Sequence, residues 1–204
     1  MKALGLVFSA RKRGNCLNAV EYVLEKLNEQ NFQSEIVNAY DYEIKPCSKC
    51  NYECFSQYLR GTEEGCPIHD DVPEIYEKMK QADILIFAVP TYGGNVSGLY
   101  KAFQERAQGI FKEYENFVDV ILSKVIGLIV IGNVPAGGEL AYHSAIMDYY
   151  DAKYFTAILL QSAEYGKASI KGDLIENQEI KMRLDNLVNN ILKLWNKKRE
   201  DGKA

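Results

Sequence analysis

Apolar and polar positions alternate along this chain in blocks that name its elements. Ala3-Leu4-Gly5-Leu6-Val7-Phe8 is an unbroken apolar run, the mark of a strand buried on both faces. A polar stretch from Ser9 to Asn15 follows. Leu17, Val20, Val23, Leu24 and Leu27 then recur at helical spacing and predict a helix to about Gln30. Phe32 to Val37 reads as a second strand, so the opening is a strand–helix–strand unit with parallel strands. Ile84 to Val89, Val125 to Ile131 and Tyr154 to Leu160 are three further buried strands. Helices are predicted after Asp70-Asp71 to about Gln81, over Leu99–Phe111, over about Glu139–Asp151 and over Glu176–Lys198. Thr91–Gly98 and Gly132–Gly138 read as glycine-rich loops. Residues 40 to 70 break the alternation and read as an inserted loop.

Five strands alternating with helices predict a doubly wound α/β sheet, and with no linker or repeat the 204 residues are expected to form one domain, 1–204. Ligands of such sheets sit beyond the carboxyl ends of the strands, where strand order reverses. The loops after the first, third and fourth strands are therefore the places to search.

The first of these loops, Ser9-Ala10-Arg11-Lys12-Arg13-Gly14-Asn15-Cys16, leads directly into a helix N-terminus. Free amides and the helix dipole bind anions there. Ser9 and Asn15 add neutral donors, Gly14 permits a close turn, and Arg11 offers a fork to phosphate oxygens. The loop lacks the Gly-Lys-Ser/Thr ending of a triphosphatase loop and the spaced glycines of a dinucleotide fold. A plain polar connection with solvated basic residues is the competing reading. In the second loop, Pro90-Thr91-Tyr92-Gly93-Gly94-Asn95-Val96-Ser97, bare backbone at Gly93 and Gly94 can approach a planar ligand, and Tyr92 offers an aromatic face. The third contributes Asn133, Gly137 and Gly138. Together the loops suit a ligand with one phosphate and a flat polar ring.

The stretches Ser9-x-Arg11-x-x-Gly14-Asn15, Pro46-Cys47-x-x-Cys50, Cys66-Pro67-Ile68-x-Asp70-Asp71, Ala82-Asp83-Ile84 and Pro90 to Ser97 resemble the NAD(P)H-dependent FMN reductase and iron–sulfur flavoprotein group of the flavodoxin superfamily. The resemblance covers Ala3 to about Gln108, and more loosely reaches Leu160. It implies a flavodoxin-like three-layer α/β sandwich with a five-stranded parallel sheet in the order 2-1-3-4-5 and a cysteine-rich insert, about 44–70, after strand 2. It implies FMN as cofactor. Ser9, Arg11, Asn15 and Cys16 would hold its phosphate, with Arg13 and Gly14 as further cofactor-binding candidates of the same loop; Pro90, Thr91, Tyr92, Gly93, Gly94, Asn95 and Ser97 would meet its ring and ribityl chain. The implied electron donor is NAD(P)H or a ferredoxin-like protein, and the implied assembly a homo-oligomer, dimer or tetramer. Phe8-Ser9-Ala10-Arg11 stands where the family has Gly-Ser-Pro-Arg, and Cys16 where it has a hydroxyl residue. A thiol is a poor phosphate donor, so Cys16 is expected to offer its backbone amide.

Four of the five cysteines fall in the insert as Cys47-x2-Cys50-x3-Cys54-x11-Cys66. Thiolates so placed suit a [4Fe–4S] cluster, a structural zinc ion, or free and partly oxidised thiols. With a cluster the protein would be a one-electron carrier. With zinc and empty loops it would be a non-enzymatic interaction module. Clustered cysteines and the lack of a membrane-length apolar run point to the cytoplasm. The start, Met1 to Ala10, reads as a buried strand rather than a signal peptide. A net charge of −4 leaves no general surface for nucleic acid. His69 and His143 are isolated, Tyr40, Tyr42, Tyr52 and Tyr58 are interface candidates, and no catalytic dyad, triad or zinc-hydrolase motif is present.

Overall fold

The computed structural model describes residues 1–62 and 65–202, apart from the side chain of Tyr58. Residues 63–64 of the insert and the Tyr58 side chain offered for an interface lie outside the described residues. Strands β1 (Lys2–Val7), β2 (Gln33–Asn38), β3 (Ile84–Tyr92), β5 (Val125–Gly132) and β6 (Tyr154–Gln161) form a parallel sheet in the order β2-β1-β3-β5-β6. This is the expected order of five parallel strands. A sixth strand is new: β4 (Asn95–Val96) turns back antiparallel on the end of β3, within the stretch read as a loop. Gly93 (φ 58) and Gly94 (φ 78) form its two-residue turn, and both lie in the left-handed region that such a turn demands.

The unbroken apolar runs arise because the three central strands are covered twice. Leu4, Leu6, Leu85, Phe87, Val89, Ile126, Leu128 and Val130 face one layer; Ala3, Val7, Ile84, Ile86, Ala88, Val125 and Ile129 face the other. Helices α1 (Asn15–Asn28) and α8 (Gln178–Asp201) cover the second face. Helices α3 (Val72–Gln81), α4 (Gly98–Glu105) and α7 (Pro135–Met147) cover the first. Close packing needs a missing side chain at Gly5, where a Cβ would come within 2.3 Å of Val20.

Three helical predictions change. The insert is not all loop, for α2 (Glu53–Arg60) stands inside it. The helix expected over Leu99–Phe111 is broken at Arg106 into α4 and α5 (Ala107–Phe111), and the Arg106 side chain forms a buried ion pair with Asp70. A short α6 (Tyr114–Phe117) follows. Helix α7 begins at Pro135 rather than Glu139: proline suits a first helical position, and the glycines after it are absorbed into the first turn. Among the described residues no helix is long and apolar enough to cross a membrane.

Candidate flavin cleft and cysteine insert

The carboxyl ends of β1, β3 and β5 open onto one cleft of about 430 Å³. Ala10, Arg11, Asn15 and Cys16 line it from the first loop, Pro90, Thr91 and Tyr92 from the second, and Ile131, Gly132 and Asn133 from the third. The first two loops are bridged directly: the Ala10 amide donates to the Tyr92 hydroxyl at 3.3 Å.

At the floor, the first backbone bond of α1 runs from the Asn18 amide to the Gly14 carbonyl at 3.0 Å. The amides of Asn15, Cys16 and Leu17 therefore have no intrahelical acceptor, and the first turn carries no acid to compete for an anion. Ser9 is buried and its Oγ accepts from the Arg11 amide at 3.1 Å, which curls the loop. The Arg11 guanidinium lies over Gly14, where a Cβ would come within 3.3 Å of it. Burial pushes the Cys16 thiol up to about 12 despite the nearby Arg11, so it stays neutral. Arg13 is exposed and does not line the cleft.

Ser97 does other work. Its buried hydroxyl donates to the Phe8 carbonyl at 2.7 Å and accepts from the Tyr100 amide at 3.2 Å, capping α4. Asn95 is exposed, with its Nδ2 3.5 Å from the Gly93 carbonyl. Asn133 accepts from the Ser162 hydroxyl at 3.0 Å. Gly137 and Gly138 stand behind the cleft wall: a Cβ on Gly137 would come within 3.0 Å of the Gly94 Cα, and one on Gly138 within 3.3 Å of the Gln161 side chain. Gly94 and Gly137 thus let the β3–β4 turn rest on the start of α7. Sequence reasoning missed Ser169 and Ile170, which close the cleft from the segment between β6 and α8. No motif marks them.

A scan against family models identifies residues 1–161 with the NADPH-dependent FMN reductase model. The chain belongs to the NADPH-dependent FMN reductase family. Relatives of this FMN reductase-family chain include an iron–sulfur flavoprotein of Methanosarcina thermophila, 33% identical over 149 residues, covering 73% of this chain and 72% of that protein. An iron–sulfur flavoprotein of Methanocaldococcus jannaschii is 34% identical over 140 residues, 68% of this chain but only 66% of the relative, just under two thirds of its length. The fold matches the crystal structure of RosB with bound 8-demethyl-8-formylriboflavin-5'-phosphate (TM-score 0.67, 17% identity, 98% of this chain and 81% of that one). It also matches the Trp repressor binding protein of Bacillus subtilis (TM-score 0.62, 17% identity, 91% and 96%). At these identities the structures speak for the fold alone.

The residues of the cleft fit FMN: helix-start amides without an intrahelical acceptor, a guanidinium beside Gly14, and an aromatic residue, Tyr92, at the far end, with the Gly93-Gly94 turn adjoining Tyr92 outside the lining. The insert fits its expected metal less well. Burial, then the thiols of Cys50, Cys54 and Cys66 and the Glu105 carboxylate, push the Cys47 thiol up, so the four cysteines lie within electrostatic reach of one another. Cys54 is likewise pushed up by burial. Yet among the described residues no three His, Cys, Asp or Glu side chains form a group able to hold a metal ion as they stand. All five cysteines are free.

Proposed function

We propose that this FMN-dependent oxidoreductase takes electrons from a reduced nicotinamide and passes them to a separate acceptor, working in the cytoplasm where its free thiols stay reduced. Bound in the cleft, FMN supplies the hydride chemistry. The amides of Asn15, Cys16 and Leu17 would hold its phosphate, with Arg11 adding charge. Thr91, Tyr92 and the Gly93-Gly94 backbone would orient the ring, and Ile131 and the wall behind it would keep water from one side. The neutral Cys16 thiol adds no charge beside the phosphate. Hydride transfer needs no side-chain acid.

The observation carrying this reading is the bond from the Ala10 amide to the Tyr92 hydroxyl, which joins an anion-binding loop to a ring-binding loop across one crevice. Quenching of flavin fluorescence tests it. FMN should bind at least about 100-fold more tightly than riboflavin, because the charge-assisted phosphate bonds are lost with riboflavin. The bound form should then oxidise NADPH or NADH with a quinone as acceptor. Equal affinities for FMN and riboflavin would remove the phosphate cradle.

A second reading, an iron–sulfur electron carrier, is favoured by the mutual reach of the four insert thiols and by the relatives named as iron–sulfur flavoproteins. It requires Cys47, Cys50, Cys54 and Cys66 to draw together around a cluster. An anaerobic absorbance spectrum with iron and zinc counts separates it from a zinc-bound or metal-free insert.

A further inference from the structure

The segment between β6 and α8 carries no motif, yet it engages the first loop closely. Arg11 Nη1 donates to the Ile170 carbonyl at 2.9 Å, and Nη2 donates to the Ser169 carbonyl at 3.0 Å. The same Ser169 carbonyl accepts from Asn15 Nδ2 at 3.1 Å. One backbone oxygen therefore takes both side-chain donors that the loop holds out towards an anion. The segment is anchored on either side of this contact. The Lys167 amide donates to the Ser162 carbonyl at 2.9 Å, Asn18 Nδ2 donates to the Gly172 carbonyl at 2.7 Å, and the Leu174 amide donates to Asn15 Oδ1 at 3.1 Å. Two left-handed glycines, Gly166 (φ 62) and Gly172 (φ 75), flank residues 167–171 and turn at low cost. Ile170, between them, is 78% exposed.

We propose that residues 167–171 are a strap whose Ser169 and Ile170 carbonyls stand in for phosphate oxygens, and that a bound monophosphate displaces it. The ligand's identity rests on the flavin reading; the strap itself rests on the contacts above. A guanidinium bonds an anionic phosphate oxygen more strongly than a neutral carbonyl, because the attraction of opposite charges adds to the hydrogen bond. The carbonyl oxygens and an arriving phosphate also repel each other across the same donors. While the strap is down, Arg11 and Asn15 are held in place with their polar groups satisfied. When phosphate enters, these donors transfer to it, and the strap swings out between its glycines while its anchors hold.

Hydrogen–deuterium exchange and trypsin cleavage at the strap test this, using the whole wild-type chain with FMN, riboflavin and inorganic phosphate. The reporters are the Lys171 amide, bonded within the strap to the Ala168 carbonyl at 3.2 Å, and cleavage after Lys171, which is exposed. FMN and millimolar phosphate should each speed both by at least about tenfold, the effect of losing one charge-assisted bond from the closed state. Riboflavin should not. Ligands ordinarily slow exchange around their sites, so acceleration is diagnostic. In Arg11→Gln the strap should already exchange fast, with no further gain from either anion. If FMN binds and the strap is unchanged or protected, with phosphate equally silent, the strap proposal is overturned while the flavin reading survives. If FMN does not bind, the flavin reading falls, and the phosphate arm alone decides the strap. An Arg11→Gln strap as slow as wild type also overturns it.

Discussion

Replacing Arg106 with methionine should loosen the whole cysteine insert. Arg106 is 1% exposed at its side chain and its partner Asp70 is 0% exposed, with 2.5 Å between Nη1 and Oδ2. The guanidinium also donates to the Lys45 carbonyl at 3.2 Å and the Ile68 carbonyl at 3.1 Å, so it clips together the two ends of the insert. Burial works against its charge, and the Asp70 carboxylate with the neighbouring Cys66 thiol outweighs that effect, holding the guanidinium above its ordinary value. Removing one partner of a buried pair costs about 3–5 kcal/mol, mostly from the charge left behind. Asp70 keeps bonds from the Lys45 amide at 2.9 Å and the Val72 amide at 3.3 Å, which places the loss near the lower end. For a chain of this size, about 3 kcal/mol corresponds to a fall in Tm of roughly 6–12 °C. Thermal unfolding followed by circular dichroism measures it, with proteolysis of residues 45–70 as a second readout in case the insert opens alone. The double variant Arg106→Met/Asp70→Asn should recover much of the loss, since no buried charge is then unpaired. A single variant that loses under about 1 kcal/mol and leaves the insert resistant to proteolysis would refute the clip.

Two smaller changes probe the cleft. Gly137→Ala places a Cβ within 3.0 Å of the Gly94 Cα, backbone against backbone, so the β3–β4 turn must shift. FMN affinity should fall about tenfold and stability by about 1–3 kcal/mol, read by flavin fluorescence and Tm; an unchanged Kd would show that the turn does not shape the ring site. Cys16 titrates at about 12 in the folded chain against an ordinary 9.0, so the folded state favours the protonated thiol. Its contribution is fully present below pH 9 and is lost as pH rises towards 12. Wild type should therefore lose about 1.4 kcal/mol relative to Cys16→Ala between pH 7 and pH 10 in urea denaturation. Parallel behaviour of the two proteins across that range would mean that Cys16 is not buried as described.

The parts of the site that were legible in the sequence are those made locally. A loop running from a buried strand into a helix start exposes its amides wherever the chain goes, so free amides at the start of α1 were expected without coordinates, and the structure leaves those of Asn15, Cys16 and Leu17 with no intrahelical acceptor. The Pro90–Gly94 stretch declared a turn for the same reason. The roles of side chains were harder. Ser97, read as a ligand contact, also caps a helix; Gly137 and Gly138, read as part of a binding loop, also pack against Gly94 and Gln161. Their residue types suit both tasks, and only the neighbours distinguish them.

From the amino-acid order came the parallel sheet, its strand order through resemblance, and the sheet edge at which the three candidate loops gather, because strands covered on both faces must be apolar throughout and the glycine-rich stretches fall at their carboxyl ends. Tertiary structure alone brought Arg106 to Asp70, the Ser169 and Ile170 carbonyls to Arg11, and the Tyr92 hydroxyl to Ala10. Partners so distant along the chain leave no periodic trace: a charge that will be buried and a charge that will be solvated are spelled with the same residue, and a backbone carbonyl has no letter of its own.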